Sequence, residues 1–251
     1  MKNVVLIGSG NVATSLGIAL KNNGFIISQV YSRSLKNAKK LANILTANHT
    51  SDLNKIKAEN IAIVCVKDDV LRDVLSKIKN KDIVHTSGAH DINIFSDFHK
   101  NCGVIYPLQS FAKNIVSDIS TSPLCIEANN KKFENDLKKI ANLLSNNVVI
   151  MNSHQRKQLH IAAVFGCNFS NHMMVICNRI LTENNIETSI MSSIIEKSLL
   201  KLKKYDAKEI QSGPAKRGDI NTINNHLKAI KNDKIKKIYK LISEHIINEH
   251  K

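Results

Sequence analysis

Six residues near the N-terminus, Gly8-Ser9-Gly10-Asn11-Val12-Ala13, have the types and spacing of an anion-binding turn. The first glycine allows a tight turn, the second lets a diphosphate approach the main chain, and the small third residue lets a helix pack on a strand. The N–H groups and dipole at the start of the following helix then favour negative charge. A short apolar run, Val4 to Ile7, precedes the turn, and a helical period from Asn11 to Asn22 follows it. That is the context a dinucleotide fingerprint requires. A second strand, Phe25 to Tyr31, ends in Ser32-Arg33-Ser34. NAD sites place an acid there for the ribose hydroxyls. Here a guanidinium fork between two hydroxyls suits a 2′-phosphate, so NADP is expected rather than NAD.

Three further loops follow strand candidates, where ligands bind in open α/β sheets. Val66 and Lys67, then Asp68-Asp69, close the run IAIVCV; His85-Thr86-Ser87-Gly88 follows the next strand; Tyr106-Pro107-Leu108-Gln109-Ser110-Phe111 follows the one after. Singly, each reads as a cap, a turn or a strand stop. Together they suggest a lined cleft, with Val66, Lys67, Ser87 and Gly88 beside the cofactor.

The C-terminal half holds two polar constellations. His160, Val164 and Asn168 step by four along a helix and drift slowly round it. A histidine and an amide on an apolar face suit a general acid and a substrate-orienting group, although a satisfied core histidine gives the same pattern. Gly166 inside that helix costs about 1 kcal/mol against Ala, which suggests that a backbone or ligand packs close to it. The turn Ser212-Gly213-Pro214-Ala215-Lys216-Arg217-Gly218-Asp219 offers Arg217 for an anionic substrate group. Asp219 is a candidate site residue and equally a cap for the next helix, as is Asn221.

These residues need elements to position them. Strand and helix alternate to residue 151: further strands are expected over 60–66, 83–85, 104–106, 124–127 and 148–151, and helices over 34–45, from Asp68 or Asp69 to Ile78, and over 131–144. This is the pattern of a parallel sheet with helices on both faces. From Gln155 onward the period is helical, with helices over 155–181, 190–205 and, as one or two, 219–247. The expected organisation is a Rossmann-like NAD(P)-binding domain, 1–151, and a helical domain, 152–251.

The 251 residues carry a formal charge of +15, which first suggests a nucleic-acid partner. Only five of the 36 basic residues are arginines, aromatic residues make up 4%, and Trp is absent. Scattered lysines without stacking rings read as a solvated surface, and no specific nucleic-acid binding is expected. Five cysteines without a C-x-x-C pair indicate a reduced, cytoplasmic protein, and ten histidines without ligand spacing indicate no metal site. No run reaches 18 apolar residues, so no membrane span is expected.

The GSGNVA turn, His85-Thr86-Ser87-Gly88, Tyr106 to Phe111, His160 through Asn168, and Gly213-Pro214 to Arg217-Gly218-Asp219 with His226 together resemble one family. It is that of bacterial Rossmann-like proteins whose C-terminal half is the domain of unknown function 2520. More distantly the layout is similar to pyrroline-5-carboxylate reductase and to deazaflavin-dependent NADP oxidoreductases. The resemblance implies a helical C-terminal domain similar to that of 6-phosphogluconate dehydrogenase, and a homodimer formed through it. Tyr106 stands where such proteins often carry His, and Lys67 where Pro or Ser often precedes the Asp. The expected activity is hydride transfer between NADP(H) and a small carbonyl or imine substrate held between the domains, with His160 exchanging the proton. A non-catalytic NADP sensor or scaffold dimer is the alternative.

Overall fold

A computed structural model describes residues 3–58, 61–95, 99–112 and 115–250. The chain divides into two compact units, Met1–Phe169 and Ser170–Lys251.

The first unit is an eight-stranded sheet. Its strands are β1 (Asn3–Ile7), β2 (Ile26–Tyr31), β3 (Asn48–Thr50), β4 (Ile61–Val64), β5 (Asp82–His85), β6 (Asn101–Pro107), β7 (Leu124–Ala128) and β8 (Val148–Ile150), in spatial order β3-β2-β1-β4-β5-β6-β7-β8. The chain builds outward from β1 in one direction and then from β4 in the other. The crevice at that switch point lies at the end of β1, where the glycine turn sits. Alternate residues of β1 feed two cores: Val4 and Leu6 face one, Val5 and Ile7 the other. Burial on both faces explains why these strands read as continuous apolar runs.

Helices cover both faces. The first core takes α1 (Asn11–Asn22), α2 (Leu35–Leu45) and α4 (Lys131–Leu144); the second takes α3 (Leu71–Leu75). On α2, Ala38, Leu41, Ala42 and Leu45 are buried, the spacing of one helical face. The Ser34 side chain caps it by accepting from Asn37 N–H. Asn130 caps α4 in the same way.

The parallel sheet expected from the alternation is mostly present, with one departure. β6 and β7 pair antiparallel, and β8 pairs parallel to β7. The described residues of the connection between β6 and β7 form no helix to carry a crossover, and the chain turns back beside β6. β3 went unread, since three mostly exposed polar residues carry no apolar period. The helix expected to reach Ile78 is one 3-10 turn, Asp68–Val70, followed by the five residues of α3, and neither has a side-chain cap. The Ser76 hydroxyl donates to Asp73 C=O and competes with the helix there. Asn60, the expected start of β4, lies outside the described residues.

Residue 151, where the sequence changes texture, falls inside the first unit. α5 (Ser153–Ala163) and a π-helical segment, Val164–Phe169, cluster with the sheet. The second unit holds α6 (Ser170–Glu183), α7 (Ser192–Leu202), α8 (Ile220–Ala229) and α9 (Asp233–Glu249). No residue of α6 or α7 is buried within the chain. The stretch Ser153–Glu183, 31 residues with a mean hydropathy of 1.2 in its most apolar window, is long and apolar enough to cross a membrane. The run-length expectation missed this. None of its apolar window is buried within the chain, whereas Arg156, near the start of the stretch, is.

Candidate functional site

The glycine turn fits the diphosphate of a dinucleotide. Gly8 has φ +124°, a left-handed conformation, and a Cβ there would lie 2.2 Å from the Cys65 carbonyl oxygen. Only glycine lets β1 end against β4 in this way. A Cβ on Gly10 would meet nothing within 4 Å, so the main chain is open to a ligand. The N-terminus of α1 has no side-chain cap and no acid in its first turn. Its N–H groups are thus available to an anion.

Side chains brace the turn. Ser9 Oγ donates to Ser32 Oγ at 2.8 Å, which ties the turn to the end of β2. Asn11 Nδ2 donates to the Phe111 carbonyl at 3.3 Å, which ties it to the loop after β6. Arg33 is exposed and forms no ion pair among the described residues. Ser32 and Ser34 act as acceptors, to Ser9 and to Asn37 N–H, which leaves each hydroxyl proton free to donate. A cavity of about 360 Å³ opens beside the turn, lined in part by Ser9, Asn11, Thr14, Asn37 and Lys40.

Next along the strand ends, Val66 is half-buried and Lys67 exposed. The Ser87 hydroxyl accepts from Ala89 N–H and His90 N–H and closes the loop after β5. His90 Nε2 donates to the Asp68 carbonyl at 3.0 Å, joining that loop to the one after β4. His85 is buried and does not line a cleft. Its Nδ1 accepts from Ser87 N–H, its ring stacks on Phe95, and burial aided by the Arg156 charge pushes its pKa down to about 3.

His160 is half-buried. Its Nδ1 lies 3.0 Å from Tyr106 Oη, and the rings meet edge to face at 5.8 Å. Burial pushes the Tyr106 phenol up to about 12. What sets this contact is Arg156, one helical turn earlier and wholly buried. Arg156 pairs with Glu127 and donates to the His90 carbonyl and to Ser153 Oγ, and Ser153 Oγ itself donates to Glu127 at 2.7 Å. Glu127 faces Val104 across the β6–β7 ladder, as Cys125 faces Tyr106. Four residues of α5 advance about 6 Å and two of β6 about 6.6 Å, so the clamp at Arg156 delivers His160 to Tyr106. Breaking a buried pair of this kind costs about 3–5 kcal/mol.

Asn168 is exposed in the π-helical segment. A π turn closes on i→i+5 and rotates less per residue than an α turn, so it removes part of the drift separating Asn168 from His160. Gly166 has nothing within 4 Å of its Cβ position, so among the described residues no backbone packs on it. In the second unit Arg217 is exposed. Asp219 caps α8, accepting from Thr222 N–H and Oγ1, and these bonds hold its carboxyl below the usual range.

Two family profiles match this layout: "NADP oxidoreductase coenzyme F420-dependent" over residues 3–87 and "Domain of unknown function (DUF2520)" over residues 122–246. A Bacteroides fragilis protein described as a "putative NADP oxidoreductase" is 36% identical, with a TM-score of 0.91 over 98% of each chain. The chain belongs to this DUF2520 family of NADP-oxidoreductase-like proteins. At lower identity the DUF2520 chain shares its fold with two structures. One is Plasmodium falciparum pyrroline carboxylate reductase with NADP bound, 14% identical with a TM-score of 0.61 over 100% of both chains. The other is Aspergillus terreus reductive aminase with NADPH and ethyl-5-oxohexanoate, 10% identical with a TM-score of 0.72 over 99% of this chain and 94% of that one. No curated protein matches in sequence.

Against that family background, the structure sets the expected cofactor residues, Gly8 to Val12, Ser32 to Ser34, Val66, Lys67, Ser87 and Gly88, at the ends of neighbouring strands, with His160 bonded to Tyr106 nearby. Sequence reading left Tyr106 without a role and passed over Arg156, Glu127, Asn37 and Lys40. The last two offered a signal, being polar positions three apart on α2 just after Arg33. The Arg156–Glu127 pair offered none, because 29 residues separate its members.

Proposed function

We propose that the protein is an NADP-dependent oxidoreductase acting on the C=O or C=N group of a small molecule. The observation that carries this reading is the uncapped start of α1 behind Gly8 at the switch point, with a half-buried His160 at the neighbouring strand ends. Gly8, Ser9, Gly10, Asn11 and Val12 hold the diphosphate; Ser32, Arg33 and Ser34 hold the 2′-phosphate; Val66, Lys67, Ser87 and Gly88 line the remainder. The cofactor supplies or accepts the hydride. His160 gives or takes the accompanying proton, and Asn168 orients the substrate. Asp219, whose carboxylate caps α8, braces the Arg217 turn and carries no proton. Three buried, unpaired cysteines, Cys65, Cys102 and Cys125, support a reducing, cytoplasmic setting.

Calorimetry tests the cofactor. NADPH binds more tightly than NADH, and Arg33→Ala lowers NADPH affinity about 10- to 100-fold while barely changing NADH, the worth of one charge-assisted contact. Absence of NADPH binding ends this reading; binding without turnover of any carbonyl or imine supports a sensor instead.

The exposed apolar side chains of the helical half, among them Ile190, Ile194, Leu199 and Leu202, support a homodimer built on those helices. Sedimentation equilibrium should give twice the chain mass, and Ile194→Glu with Leu199→Glu should halve it.

A further inference from the structure

We propose that Tyr106 is a positioning residue that occupies Nδ1 of His160 and so dedicates Nε2 to proton exchange with the substrate. This rests on the oxidoreductase reading above. The inference starts from one hydrogen bond and one glycine. Tyr106 Oη lies 3.0 Å from His160 Nδ1, which takes that ring nitrogen out of reach of any ligand. The rings can meet because residue 88 has no side chain. A Cβ on Gly88 would lie 2.8 Å from Tyr106 Cζ and 2.9 Å from both Cγ and Nδ1 of His160. Gly88 is buried and its φ is not left-handed, so the need for glycine here is spatial and not conformational. The buried Arg156–Glu127 clamp fixes α5 one turn before His160, so the pair is held from two sides.

A Tyr106 hydroxyl beside Nδ1 can either donate or accept, and the proposal assigns it the acceptor role. In reduction, the imidazolium loses its Nε2 proton to the substrate oxygen or nitrogen as the carbon takes the hydride. One hydride, added to the carbon, and one proton, added to the oxygen or nitrogen, together put two hydrogens and two electrons across the double bond. The ring is left neutral, with its remaining proton on Nδ1 directed at the Tyr106 oxygen as acceptor. Oxidation runs the same steps in reverse. Tyr106 keeps its own proton throughout, because burial makes the phenolate costly. The other titratable groups acting on Tyr106 are Arg156 on α5, Asp68 after β4, Cys125 on β7 and Cys167 in the π-helical segment.

The test is Tyr106→Phe in the full chain, which keeps the ring and removes the hydroxyl. Nitrogen NMR of the neutral His160 ring should report the Nδ1–H tautomer in the parent, and a mixture of tautomers in the variant. Turnover should fall about tenfold as the ring loses its orientation, and NADPH affinity should stay within about twofold. An Nε2–H tautomer in the parent overturns the proposal without any variant. So does a Tyr106→Phe protein with an unchanged tautomer and pH–rate profile. If the parent reduces no carbonyl or imine, yet its His160 nitrogens respond to Tyr106→Phe, the pairing stands and the oxidoreductase reading fails.

Discussion

The protein carries two tyrosine–histidine pairs of nearly the same geometry in unlike surroundings. Tyr106 and His160 lie 3.0 Å apart by Oη and Nδ1, with ring centroids 5.8 Å apart at 80°. Tyr239 on α9 and His226 on α8 lie 2.8 Å apart by the same atoms, with centroids 5.7 Å apart at 75°. The first pair is half-buried at the end of β6, beneath a glycine that makes room for it. The second is exposed and joins two neighbouring helices. The contact alone therefore marks nothing. What distinguishes the first pair is the neighbouring row of strand-end loops and the buried clamp that fixes its helix.

Substitutions can break or sharpen this contrast. The largest effect is expected from His160→Ala, which removes the proton-exchanging group. Turnover should fall by about 10²–10⁴ with NADPH binding retained, measured by steady-state kinetics and calorimetry. Full activity in this variant would reduce the two pairs to the same structural device. The smallest effect is expected from Tyr239→Phe, which deletes the same hydroxyl from the other pair. It should leave turnover and its pH profile unchanged and lower stability by at most about 1 kcal/mol in thermal unfolding.

Much of the fold was legible because its signals are local. The β1 turn, the capped amphipathic α2 and the apolar strand β4 each announce themselves within a dozen residues. The direction of β7 was not legible, because pairing direction depends on how the chain returns and not on what the strand contains. The site divides along the same line. Gly8 and Gly10 were readable from a turn motif. His85 is the last residue of β5 and Tyr106 the last but one of β6, and no local pattern says which one will be buried and which will face a partner. Among the described residues, His85 has no hydrogen-bond partner for its buried Nε2, whereas Tyr106 meets His160. The Arg156 stretch, Ser153-His154-Gln155-Arg156-Lys157, reads as solvated surface, yet its arginine is the largest fully buried side chain.

That buried arginine decides where the molecule can be cut. A chain ended at residue 151, where the sequence changes texture, would keep every strand of the sheet but lose Ser153 and Arg156. Glu127 would then face an uncovered sheet with its charge unanswered, and the loop holding His90 would lose its tether. A chain ended at residue 169 would retain the whole clamp. The sheet is complete only once the first helix beyond its last strand has been made.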